Sequence, residues 1–316
     1  MIKKISFLLL LIVCNLIYGQ IINERLFYTL QPQHILDNNN DDISFAYGMR
    51  ILESDYNGPL IRLRKNSDTN LEAQDFYHAD NDIIDINAVN TYANGETLYV
   101  VTWYDQSGNA IDATQTDTDK QPTFIASASL PYLVGDGAND VLVVGLGLQT
   151  LTENGKNGSV FGVFFATDRK DTVFGTSTGT NRWLSHINWD NERTYFDPGS
   201  CCQNPGRWFT NDVAPGGSLN EWDQYTFVRR DDPLDATTDR RILKLGGDLK
   251  RDLDYDDALQ CTLDFNFGIC AVITSATNTS VSNSSTRINE MIMYAQGKDD
   301  EVIETIEENQ LTFWGL

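Results

Sequence analysis

Short apolar runs alternating with turn-forming clusters dominate most of this chain. The runs 98–104, 141–144, 159–166, 172–175, 183–187, 193–196, 224–228, 241–245, 263–269 and 288–294 are rich in β-branched and aromatic residues, and clusters of Gly, Asn and Asp separate them. Such runs predict the strands of an all-β sandwich or barrel. Residues 60–65 alternate strictly, with Ile61 and Leu63 on one face and Arg62 and Arg64 on the other. That pattern is a half-buried strand whose arginines are placed to pair with acids on a solvated face. Helical spacing occurs in three places. Phe45, Met49 and Leu52 follow a capping Ser44 and end at Tyr56-Asn57-Gly58-Pro59; Asp85 caps a run to Ala93 that Gly95 ends; and 299–309 sets Val302, Ile303 and Ile306 on one side.

The first nineteen residues have a different character. Lys3 and Lys4 precede an apolar stretch over 5–17, and Tyr18-Gly19 supplies a small residue before Gln20. This is the layout of a secretory signal, too short to favour a membrane span. The expected organisation is therefore a signal over 1–19, a lead-in over 20–43 and one domain over 44–316, placing the mature chain outside the cell, secreted or at the cell surface. The chain's formal charge is −22, and loss of Lys3 and Lys4 takes it to −24. So acidic a chain repels phosphate backbones and anionic lipid, which argues against nucleic-acid partners and membrane insertion.

Four cysteines follow the signal: Cys201, Cys202, Cys261 and Cys270. An even number in an exported chain predicts disulfides, with three possible connectivities. The spacing favours a local Cys261–Cys270 bridge and leaves Cys201 to Cys202. His34, His78 and His186 are scattered without metal-type spacing, so no zinc site is expected. Asp136, Asn139 and Asp140 offer oxygen ligands for calcium on one loop, or an Asx-stabilised turn with no ion.

One block has the order and spacing of a known family. Ala46-Tyr47-Gly48-Met49-Arg50-Ile51-Leu52, Gly58-Pro59-Leu60-Ile61-Arg62-Leu63-Arg64, Ser67-Asp68 and Trp103-Tyr104-Asp105-Gln106-Ser107-Gly108-Asn109 resemble the opening of the arabinofuranosidase B catalytic domain, glycoside hydrolase family 54. The same block is similar to the opening of laminin-G-like domains of bacterial surface proteins. The resemblance implies a concanavalin A-like jelly roll of two antiparallel sheets. It also implies a secreted carbohydrate-active domain that binds, and in its enzymatic form hydrolyses, arabinofuranosyl-type glycans by retention. The alternative is a non-catalytic laminin-G-like lectin or adhesive surface module.

The family's nucleophile stands in an Asp-x-Glu motif. Asp190-Asn191-Glu192 is the matching tripeptide, making Glu192 the candidate nucleophile and Asp190 a substrate-binding residue. The same residues also suit a tight hairpin turn, with Trp189 and Tyr195 packing across it. The family's acid/base sits in a Gly-Gly-Asp-Asn run, whereas residues 267–272 here hold no carboxylate, and Asp264 is the nearest acid. The acid/base is thus unassigned. The family also carries a vicinal cysteine pair beneath its sugar pocket, which implies a Cys201–Cys202 plate at the site, although here the pair follows the Asp-x-Glu motif rather than preceding it. His186 and Trp189, with Trp183, Trp208 and Arg207 near them in sequence, have the composition of a sugar site, where aromatics stack on the ring and planar polar groups fix hydroxyls.

Overall fold

Alternation of apolar and polar side chains along extended runs lets each strand bury one face, and this chain stacks two such faces. The computed structural model describes residues 34–167, 171–187, 189, 193–200, 208–209, 220–255 and 260–316. One layer orders the strands Ile43–Gly48, Arg287–Tyr294, Gly158–Phe165, Trp222–Asp232, Asp235–Leu245 and Asp248–Tyr255, each antiparallel to the next. The other runs from Trp208–Phe209 through Tyr195–Ser200, Asn181–Ile187, Asp171–Thr178, Asn266–Ile269, Leu142–Gly147, Ala113–Thr114, Leu98–Trp103 and Ile61–Lys65 to Gln74–Phe76, again antiparallel. Thr123–Ile125 and Tyr132–Val134 lace the layers together at one side. The architecture is the expected all-β, two-sheet antiparallel sandwich.

Facing aromatics fill the space between the layers. Phe45 meets Phe267 with ring centroids 6.1 Å apart, and Phe227 meets Phe174 at 5.6 Å and Phe196 at 5.5 Å. Trp183 and Trp103 are fully buried in this same core. Trp183 is therefore a core residue and not part of a sugar platform.

The back of the first layer is covered by the C-terminal helix Asp300–Trp314. Asp299 caps it by accepting from the Val302 amide, and Gly315 ends it in the left-handed region. Ile303 and Ile306 pack on Phe161, Val228, Ile242 and Ile292. The periodicity of 299–309 locates this helix correctly, though it runs on to Trp314. The helix over Ile86–Ala93 is also present, with Asp85 accepting from the Asn87 and Ala88 amides.

The helix expected from Ser44 is instead the strand Ile43–Gly48. Phe45 and Tyr47 point into the core, and the register with Arg287–Tyr294 fixes the strand. The Ser44 hydroxyl donates to the Leu151 carbonyl at 2.7 Å rather than capping a helix. Helical spacing here arose by chance from a strand followed by a turn; tertiary pairing overrides it.

Close packing between strands makes one glycine indispensable. Gly175 lies opposite both Leu184 and Gly268, at a φ of +141°, and a Cβ there would stand 2.3 Å from Leu184 Cβ. Gly175→Ala is expected to lower the urea midpoint by an amount equivalent to about 2–3 kcal/mol. Gly145→Ala, where a Cβ meets nothing within 4 Å, serves as the near-neutral control in the same assay.

Candidate functional site

Directly opposed strand residues share a face, so register alone separates the core side of the second layer from its outer side. Trp183 pairs with Pro198 and Ser185 with Phe196 on the core side; Leu184 pairs with Asp197 and His186 with Tyr195 on the outer side. An outer face normally carries solvated side chains, but this one does not. Asp197 is 0% exposed, His186 4% and Tyr195 6%. Arg182 forms an ion pair with Asp197. His186 Nδ1 lies 2.7 Å from the Thr172 hydroxyl, and the His186 ring packs against the Trp189 ring at 4.4 Å between centroids.

These contacts bring His186 and Trp189 together beside Tyr195 and add Arg182, Asp197 and Thr172, which the sequence reading did not name. The signal for Asp197 was the alternation Tyr195-Phe196-Asp197, which places an acid beside a tyrosine on one face; only the register with 181–187 shows which face. The Trp189 amide donates to the Arg193 carbonyl at 2.9 Å. Asp190, Glu192, Cys201, Cys202 and Arg207 lie outside the described residues, and of Trp208 only the backbone pairing with Phe196 is described.

Cys261 and Cys270 do not form the expected bridge; both are buried and not joined to each other. The nine-residue spacing looked like a local loop, but the strand Asn266–Ile269 carries the chain from one to the other. The Cys261 amide is anchored on the Gly155 carbonyl, the Cys270 amide on Val173, and Cys270 sits at a φ of +68° that turns the chain. Burial pushes the Cys261 thiol up to about 11, far from the reactive range.

Asp264 is not a candidate acid. It is exposed, and its Oδ1 accepts from the Gln149 amide at the start of the short helix Leu148–Leu151. The loop considered for calcium is an Asx-stabilised turn. Asp136 Oδ1 accepts from the amides of Ala138, Asn139 and Asp140, and its own amide donates to Asp140 Oδ2 at 2.9 Å. Among the described residues no cluster of three His, Cys, Asp or Glu side chains is placed to hold a metal ion.

The block that carries the family resemblance has a structural role of its own. Asp105 Oδ1 accepts from the amides of Ala46 and Ser107, its Oδ2 from the Ser107 hydroxyl and the Ile111 amide. Gln106 accepts from the Leu52 amide and donates to the Arg50 carbonyl, and Asn109 donates to Ile43. Tyr-Asp-Gln-Ser-Gly-Asn is a clasp that holds the first strand and the turn after it.

No protein-family model and no curated protein matches the chain. Solved structures do share its fold. A glycoside hydrolase family 54 α-L-arabinofuranosidase soaked with a cyclic sulfate inhibitor is similar at 14% identity with a TM-score of 0.64, as is a Glu-to-Gln mutant of such an enzyme soaked with 4-nitrophenyl α-L-arabinofuranoside. An arabinofuranosidase complexed with arabinofuranosyl-α-1,2-xylobiose is similar at 15% identity with a TM-score of 0.59. Each alignment covers 89% of this chain, which spans 65% of the length of those proteins. At that identity the likeness is one of scaffold: this chain and those arabinofuranosidases are built on the same two-sheet β-sandwich.

Proposed function

We propose that the chain is an exported glycan-recognition domain whose sugar site is the outer face of the second layer around His186, Trp189 and Asp197. The observation that carries this reading is the Arg182–Asp197 pair, buried on a face the core does not use. Taking two charges out of water is expensive, and this pair lies beside His186 and Trp189 on the face away from the core. A carboxylate and a guanidinium side by side suit the paired donors and acceptors of a sugar's neighbouring hydroxyls. Trp189 and Tyr195 add aromatic surface for the ring. A formal charge of −22 disfavours anionic polysaccharides, so the glycan is neutral. Arabinofuranosyl oligosaccharides come first because the structural neighbours were solved with such compounds.

Recognition is favoured over hydrolysis. Retaining cleavage needs two carboxyl groups about 5–5.5 Å apart, one of them able to deliver a proton. Asp197 is engaged by Arg182, which suits it to holding a hydroxyl, and Asp264 caps a helix. Glu192 remains the nucleophile of the enzymatic reading, with Asp190 beside it.

Binding to arabinofuranosyl-substituted xylo-oligosaccharides on a glycan array, weakened about tenfold by Trp189→Ala, is the expected result. Silence toward every neutral glycan leaves the adhesive-module reading in its place. Release of nitrophenol from 4-nitrophenyl α-L-arabinofuranoside that disappears in Glu192→Gln converts recognition into hydrolysis.

A further inference from the structure

A second concavity lies on the same layer, about six strand spacings or roughly 29 Å from the Asp197 end. A small apolar cluster of Val141, Ala271 and Ile273, with Val143 and Phe265 against it, lies between the two ends. The second concavity encloses about 660 Å³. Its floor is Arg64 and Tyr99, opposite each other in register, with the guanidinium 4.5 Å from the ring centroid. The walls are the turn that carries Thr118 and the Asp136–Asp140 turn.

Hydrogen-bonding capacity in this concavity is divided in an informative way. Arg64 was expected on a solvated face but is buried, donating to Gln121 Oε1 and to the carbonyls of Lys65 and Thr118. Asp136 is spent on backbone amides, and Asp68 accepts from the Tyr92 hydroxyl at 2.8 Å. By contrast, the amides of Asn66 and Asn139 and the hydroxyl of Thr123 line the concavity without a side-chain hydrogen bond in the protein. Asp140 is 6% exposed and lines the concavity; its Oδ2 accepts from the Asp136 amide, and its Oδ1 has no protein partner. The Oδ1 oxygen thus lies open to the concavity, where a ligand hydroxyl or water can donate to it.

The geometry points to a second binding site here, for a neutral polyhydroxyl ligand, a carbohydrate, held by Asn66, Asn139, Thr123 and the open oxygen of Asp140. The donors and acceptors left over are amides, a hydroxyl and a carboxylate oxygen, which match hydroxyl groups that both give and take hydrogen bonds. Anions are opposed by Asp119, Asp136 and Asp140. Cations gain little, because Arg64 supplies a positive floor and the Asp136 and Asp68 carboxylates are already engaged. The half-buried Tyr99 offers the apolar surface a sugar ring needs. This site does not depend on the Asp197 face, and either can exist without the other.

The test is ligand-observed NMR titration of the full chain with neutral arabino-, xylo-, galacto-, manno- and gluco-oligosaccharides. Three proteins are compared: the wild type, Asn66→Ala/Asn139→Ala in the concavity, and His186→Ala/Trp189→Ala on the other face. Neither asparagine side chain makes a hydrogen bond in the protein, so the first pair is expected to melt with the wild type. At least one sugar should bind with a Kd that rises about tenfold or more in the asparagine pair and persists in the His186/Trp189 pair. Binding sensitive only to the His186/Trp189 pair overturns this site and leaves the first intact; binding sensitive only to the asparagine pair does the reverse. No binding by any sugar in the panel, or calcium or spermidine bound more tightly than any sugar and lost in the asparagine pair, also overturns it.

Discussion

Arg50→Met is expected to lower the melting temperature by roughly 10 °C, the equivalent of about 3–5 kcal/mol in a domain of this size. Arg50 is 1% exposed and Glu290 is 0% exposed. Glu290 Oε2 accepts from Arg50 Nε at 2.7 Å and from the Trp314 indole at 2.9 Å, while Oε1 accepts from Arg50 Nη2 and Gln310, each at 3.1 Å. Arg50 Nη2 also donates to Asn309 at 2.6 Å, and its guanidinium stacks 4.2 Å from the Phe313 ring centroid. The pair therefore joins the first strand's end, the neighbouring strand Arg287–Tyr294 and the last turns of the C-terminal helix. Removing only the arginine leaves a buried carboxylate with neutral donors alone, and that uncompensated charge is what costs so much. Arg50→Met/Glu290→Gln should recover most of the loss, because the charge is gone and the glutamine oxygen still accepts from the Trp314 indole. A single mutant that melts within two degrees of the wild type, or a double mutant no better than the single, sinks this account.

Legibility of the fold tracked the apolar character of the strands. All ten runs read from their β-branched and aromatic residues overlap strands, some buried on one face and others, such as Gly158–Phe165 and Arg287–Tyr294, on both. The strand Asp248–Tyr255 was missed for the opposite reason. Among the described residues it is the edge of its layer and pairs only with Asp235–Leu245, and it is written largely in charged residues that protect such an edge from further pairing. Arg64 shows the limit of a strand-face argument. Alternation assigned it to the outer face correctly, but the carbonyl of Thr118 and the side chain of Gln121, more than fifty residues away, bury it there. The site was less legible still. Trp189 and His186 stood out by composition, whereas Arg182 and Asp197 meet only through the pairing of two strands. Asp-Gln-Ser-Gly-Asn was the most recognisable motif, and its side chains hold backbone in place rather than reach a ligand. A motif can thus identify a scaffold without marking chemistry.

Asp140→Asn is expected to stabilise the protein at pH 8 by about 2–4 kcal/mol while leaving it nearly unchanged at pH 4. Burial, reinforced by the neighbouring charge of Asp136, raises the Asp140 carboxyl to about 7. Between the unfolded value near 4 and that folded value, the native chain holds a proton that the unfolded chain has released. Stability from this group is therefore fully present below about pH 4, declines as pH rises, and is gone above about pH 7. An asparagine keeps the oxygen that accepts from the Asp136 amide but never has to ionise, so it escapes the decline. The groups facing Asp140 are Asp136 on its own turn, with Arg64, Asp68 and Asp119 across the concavity. Asp136 is coupled to Asp140, so relief of the repulsion between them is part of the expected gain. Melting temperatures of the two proteins at intervals from pH 4 to pH 8 should diverge steadily, with the steepest separation between about pH 5 and pH 7. Curves that run parallel throughout would mean that Asp140 ionises at its ordinary value in the folded chain, satisfied by water at the open oxygen.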